Sequence, residues 1–194
     1  MSKDNCYKDV VHSAVAVLKK GGTLLYPTDT IWGIGCDSAN ATAVEKIYAI
    51  KERDHSKSML ILCSDMDMVE RYVGRVGDVA SRLLLSSDRP TTVILPLSLS
   101  RLADNLTASD GTIGVRIPRM EFCHELLLLF GRPIVSTSAN LSGHPSPSSF
   151  MDIETELISR VDYCVPPAFE RTTDGISSRI VKVDAVGNVV VIRG

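Results

Sequence analysis

No phosphate loop of the form Gly-x-x-x-x-Gly-Lys-Ser/Thr occurs in these 194 residues. Gly33-Ile34-Gly35 lacks the third glycine of a dinucleotide fingerprint. A nucleotide, if this chain handles one, must be gripped by side chains. Net charge is also scant. Lys and Arg number 21 against 23 Asp and Glu, leaving −2. No global field draws such a chain to nucleic acid or to an anionic membrane, so any direct RNA binding needs a local patch. Long hydrophobic runs are missing. Stretches such as Leu126 to Phe130 are too short to span a bilayer, and the polar start, Met1-Ser2-Lys3-Asp4-Asn5-Cys6, has no apolar signal region. A cytoplasmic protein without a membrane partner is the expectation. The five cysteines (Cys6, Cys36, Cys63, Cys123, Cys164) are odd in number, with no Cys-x-x-Cys spacing. Reduced thiols fit better than disulfides or zinc. His12, His55, His124 and His144 are dispersed as well, so no protein-held metal is expected.

What is present suffices for one domain over residues 1–194, with 44% hydrophobic content to build its core. Val11, Ala14, Val15 and Leu18 have helical spacing over 8–20, ended by Gly21-Gly22. Strands are expected at 23–26, 31–36, 59–63, 91–95, 112–117, 133–136, 161–165, 178–183 and 188–192. Helices are expected at 66–73, 76–86, 120–130 and 152–159. A further helix, capped by Asn40, carries Val44, Ile47, Tyr48 and Ile50 on one face. Residues 141–149 read as loop, and Gly187-Asn188 as a hairpin turn. The alternation predicts an α/β fold: a mixed sheet with flanking helices rather than a strict parallel one.

Several clusters carry candidate chemistry. Lys51, Arg53 and Lys57 crowd the mouth of a strand, where planar and point-like cations suit phosphates. The same charges would also suit a solvated helix C-terminus. Pro27-Thr28-Asp29-Thr30 can grip a small polar substrate or simply close a turn on its own backbone. Arg116, between Gly114 and Pro118, sits in a strand that reads as buried, so it needs a carboxylate or phosphate partner from the protein or a ligand. Ser136-Thr137-Ser138-Ala139-Asn140-Leu141-Ser142-Gly143 follows a strand end, where open α/β sheets bind ligands. No His/Asp pair accompanies these serines, which argues against a nucleophilic triad. Ser178 and Arg193 lie near late strands.

Taken in order, Pro27-Thr28-Asp29-Thr30, Lys51-x-Arg53, Lys57, Gly114-Val115-Arg116, the Ser136–Gly143 block and Arg193-Gly194 resemble the YrdC-type threonylcarbamoyl-AMP synthase family. The resemblance implies a twisted, open mixed sheet around a large positively charged cavity. It implies a single-domain enzyme that makes threonylcarbamoyl-adenylate and pyrophosphate from L-threonine, bicarbonate and ATP with Mg2+. The product would serve a tRNA-modifying transferase complex. By position, Lys51 and Arg53 would be catalytic. They would bind ATP together with Lys57, Thr112, Ser138, Asn140 and Arg193. Thr28, Arg116 and Ser178 would hold threonine, with Arg116 on its carboxylate. Two departures stand out. Ser178-Arg179-Ile180-Val181 replaces a frequent Ser-Thr-Ile-Val, so Arg179 would crowd or recharge the pocket. Arg89-Pro90-Thr91-Thr92 replaces a frequent Pro-Gly-Pro-x-Thr. The competing readings are a non-catalytic paralogue that binds RNA or nucleotide, and a carbamoyl-adenylate module like that of hydrogenase maturation proteins.

Overall fold

The computed structural model describes residues 3–55, 59–99, 101–171, 174–184 and 186–194, with side chains from residue 6 onward. Helix α1 (Lys3–Lys19) leads into β1 (Leu24–Tyr26) and β2 (Gly33–Gly35). Helix α2 (Ala41–Lys51) precedes β3 (Leu60–Leu62), α3 (Met66–Tyr72) and α4 (Asp78–Ser86). Then come β4 (Thr91–Pro96), β5 (Thr112–Arg116), α5 (Glu121–Phe130), β6 (Ile134–Ser138), α6 (Thr155–Arg160), β7 (Tyr163–Cys164), β8 (Arg179–Val183) and β9 (Val189–Arg193).

Local chemistry sets several of these boundaries. Asn40 accepts a hydrogen bond from the Ala43 backbone N–H, capping α2 as its side chain predicts. Gly131 stops α5 in the left-handed region at φ 75°, where a Cβ would be strained. The structure differs from the sequence expectation at a few ends. Helix α1 starts earlier, because its polar first turn carries no apolar period to read. Strand β6 runs on to Ser138, carried by pairing with β2 that no local signal announces. The β8–β9 connection spans residues 184–188 instead of a two-residue turn. There the Asp184 carboxylate accepts from the backbone N–H groups of Val186 and Asn188.

Nine strands among the described residues form one sheet in the order β7-β1-β2-β6-β3-β5-β4-β8-β9. Parallel pairs (β1/β7, β3/β5, β4/β8) mix with antiparallel ones. This is the mixed α/β sheet expected. Side chains alternate between its faces. Ile61, Val93, Val115, Val135 and Val181 pack in one core cluster with residues of α2, α3 and α4. Leu62 and Ile134 belong to a second cluster on the opposite face, formed with α1 and α5. Helices α1 and α5 pack against each other and cover one end of that face. The rest of the face carries small and polar side chains and is left open as a cavity. No described helix is long and apolar enough to cross a membrane.

Candidate active site

The cavity encloses about 280 Å³. Its floor follows the two-residue period of the strands: Thr92 and Ile94 on β4, Gly114 and Arg116 on β5, Ser136 and Ser138 on β6. Gly114 keeps the centre open. A Cβ there would lie 3.2 Å from Leu60 Cβ and 3.3 Å from Thr92 Cγ2. The rim is built by Thr28, Thr30 and Trp32 from the β1–β2 connection, by Arg53 after α2, and by Arg193 from β9.

Arg116 is 4% exposed. Its Nη1 donates to Thr30 Oγ1 at 2.9 Å, and its Nη2 lies 3.3 Å from Asp29 Oδ1. Its Nε is buried without a hydrogen-bond partner among the described residues. Thr28 Oγ1 donates to the Ile31 carbonyl at 2.7 Å and also meets Thr30 Oγ1 at 2.9 Å. Pro27-Thr28-Asp29-Thr30 is thus a self-bonded turn and the cradle of Arg116 at once. The Ser178 hydroxyl shares a hydrogen bond with Thr92 at 2.8 Å, while Arg193 Nη2 donates to the Ser178 carbonyl at 2.7 Å. Burial first, then the Arg116 and Arg89 charges, lower the Arg193 pKa. An anion arriving there would relieve that crowding. Thr112 Oγ1 donates to Asp110, which also takes Lys182 Nζ at 2.7 Å.

Two of the expected nucleotide ligands sit elsewhere. Lys51 is fully buried and does not line the cavity among the described residues. Its Nζ donates to the carbonyls of Ser138 and Asn140, the latter at 2.6 Å. The amino group therefore clamps the β6 exit loop onto the end of α2, where a buried polar group finds the oxygen partners it needs. Asn140 also turns from the cavity. Its Nδ2 donates to the carbonyls of Leu141 and His144, leaving Oδ1 buried without a partner among the described residues. Lys57 lies outside the described residues. Arg53, Thr112, Ser138, Arg193, Thr28, Arg116 and Ser178 do line one cavity, although they come from three strands and three connecting segments.

Arg179, expected to crowd the pocket, is absent from its described lining. Its Nη2 lies 3.5 Å from Asp88 Oδ1. Its neighbours Ser178 and Ile180 take the cavity side, as strand alternation requires. Thr30 and Ser136 stand in candidate motifs that assigned them no role of their own, and Thr92 was missed as a lining residue. The usable signal was parity: once Arg116 is placed on a face, Thr92 follows from pairing. No group of three or more His, Cys, Asp or Glu among the described residues could hold a metal ion, and no carboxylate occurs in the described lining.

Comparison with known proteins agrees with this geometry. The Sua5/YciO/YrdC family model, described as "Telomere recombination", matches residues 16–194. A Chromohalobacter salexigens protein named threonylcarbamoyl-AMP synthase is 33% identical over 146 residues, covering 75% of this chain and 78% of its own. P. abyssi Sua5, solved in complex with L-threonine, superposes with a TM-score of 0.84 at 25% identity over 94% of this chain. This chain spans about half of that protein, 53% of its length. E. coli YciO superposes with a TM-score of 0.81 at 26% identity, covering 95% of this chain and 88% of its own. The match of the family model over nearly the full length, on a fold its solved relatives share, shows that this chain belongs to the Sua5/YciO/YrdC family.

Proposed function

We propose that this chain is an L-threonylcarbamoyladenylate synthase. One observation carries the reading furthest: a cavity lined by Arg53, Arg116, Arg193 and hydroxyl side chains, with no carboxylate in its described lining. Such a surface suits substrates that are all anionic or carboxylated. The relative named threonylcarbamoyl-AMP synthase and the threonine complex of Sua5 support it.

In this reading Arg116 takes the threonine carboxylate, for which its unpaired Nε and its seat beside Thr28 and Thr30 fit it. Arg53 and Arg193 face the triphosphate. Ser138 and Thr112 position the nucleotide. The threonine amine attacks the bicarbonate carbon, giving a carbamate with loss of water. A carbamate oxygen then attacks the α-phosphorus, and pyrophosphate leaves. Neither step needs a protein nucleophile. Both need alignment and neutralised charge. Mg2+ would travel with ATP, held mainly by phosphate oxygens and water, since the described lining offers hydroxyls but no carboxylate. The product would pass to a tRNA-modifying transferase.

The test is pyrophosphate release by purified protein with ATP and Mg2+. Release is expected only when L-threonine and bicarbonate are both present. Folded protein that binds nucleotide or tRNA but releases no pyrophosphate would favour the non-catalytic paralogue instead.

A further inference from the structure

Gly33-Ile34-Gly35 makes no phosphate loop, and its glycines have another purpose. Strand β2 lies between β1 and β6. Tyr26 on β1 is fully buried and pairs with Gly33 across the ladder. Its hydroxyl donates to Ser136 Oγ on β6 at 2.8 Å, reaching past β2 to the next strand but one. Only a strand without side chains on that face allows this. A Cβ on Gly33 would lie 3.2 Å from Ser136 Oγ, and one on Gly35 would lie 3.1 Å from Tyr26 Cε1. Burial, the largest influence, pushes the Tyr26 pKa far above its ordinary value, so the phenol keeps its proton at any working pH.

The direction of this hydrogen bond matters. Among the described residues Ser136 is the hydrogen-bond partner of the Tyr26 hydroxyl. Were Ser136 to donate instead, the buried phenol proton would have no acceptor, which is costly. Tyr26 therefore donates, and Ser136 keeps its own proton for another acceptor. Ser136 lines the cavity.

Sheet register says what stands there. Leu62 aligns with both Arg116 and Ile134, and Leu60 aligns with both Gly114 and Ser136. Along the strand direction Ser136 is thus one level from Arg116 on one side and one level from Ser138 on the other, each about 7 Å away along the strand. It stands midway between the amino-acid end and the nucleotide end, where the carbamoyl carbon must join the two.

We propose that Ser136, held as a hydrogen-bond donor by Tyr26 across the glycine strand β2, binds an oxygen of the one-carbon unit, first bicarbonate and then carbamate. Ser136 is a substrate-binding residue in this assignment, and Tyr26 is a positioning residue that acts through it. The inference rests on the synthase reading.

The experiment measures the KM of each substrate in bicarbonate-depleted buffer for wild type, Ser136→Ala, Tyr26→Phe and the double variant. Ser136→Ala is expected to raise the bicarbonate KM about 10-fold, with the threonine and ATP values within about 2-fold. Tyr26→Phe should raise the bicarbonate KM about 3-fold by freeing the serine hydroxyl to turn away. In the double variant Tyr26→Phe should add nothing, since its effect passes through Ser136. The double variant also removes both halves of the buried pair, so it keeps the test open if Ser136→Ala alone folds poorly. A bicarbonate KM unchanged by Ser136→Ala, or three KM values raised alike, overturns the assignment while leaving the synthase intact. Wild-type protein with no threonine-dependent turnover overturns both.

Discussion

Lys51 shows how much one residue's surroundings decide. As a letter in Lys51-x-Arg53 it reads as a phosphate ligand. In the fold it is a buried brace that holds the carbonyls of Ser138 and Asn140. Burial first, and then the Arg53 charge, lower its pKa to about 7. At pH 8 most of the amine is then neutral, which still supplies two N–H donors for two carbonyls. An anion bound at Arg53 offsets the Arg53 charge and favours the protonated amine, so its pKa rises on binding. The sign follows: near pH 8 the protein should take up a proton as ATP binds, and below pH 6 it should not, because Lys51 is already charged. Calorimetric titration in buffers of different ionisation enthalpy reads this as a buffer-dependent heat. A buffer-independent heat at pH 8 would mean that Lys51 does not sense the site. Lys51→Ala should lower turnover about 100-fold or more, since it strands two carbonyls and loosens the loop that carries Ser138.

At the scale of elements, strand β2 is the most constrained piece. It is three residues long, wholly buried, and carries two glycines. A Cβ on Gly35 would sit 2.1 Å from the Val135 carbonyl, a contact that forces β2 away from β6. Gly35→Ala should therefore cost about 3 kcal/mol or more. Gly77→Ala, where no atom of the described residues lies within 4 Å of the added Cβ, should stay within about 0.5 kcal/mol. Thermal melts of the two variants give the comparison; similar melting temperatures would refute the crowding argument. The contrast also marks what the sequence could tell. Element positions were readable because apolar spacing, Asn40 and Gly131 act locally. Strand order was not, because β6 joins β2 to β3 through pairings about 75 to 105 residues apart in sequence, with no local signal. The site was readable as motifs, yet not as geometry. Thr92 and Ser136 are ordinary residues until the sheet puts them on the same face as Arg116. Lys51 and Asn140 carry the expected chemistry but point it at backbone carbonyls. Arg179 looked like an intruder only because a string of letters does not say which face a strand residue takes.

For the molecule as a whole, the cavity is where the sheet lacks a cover. Helices α1 and α5 protect one end of the face, and substrates would occupy the remainder. Its lining draws on β2, β3, β4, β5, β6, β8 and β9, so bound substrates would tie together strands that otherwise meet only edge to edge. A ligand that binds only the folded state stabilises it by about 2.7 kcal/mol at 100 times its Kd. For a chain of this size that corresponds to roughly 5–10 °C in Tm. ATP and L-threonine should each raise Tm, and because the proposed arrangement puts them at opposite ends of one floor their shifts should add or exceed additivity. Arg116→Ala separates the two. It should abolish the threonine shift and raise the threonine KM roughly 10- to 100-fold, leaving the ATP shift nearly intact. The variant strands the Asp29 carboxylate, which is 11% exposed, so its own Tm should fall. Adding Asp29→Asn should restore much of that loss without restoring threonine binding, which distinguishes a lost ligand contact from a damaged fold. Equal loss of both ligand shifts in Arg116→Ala would place Arg116 in the scaffold, and the carboxylate would then have to find its partner at Arg53 or Arg193.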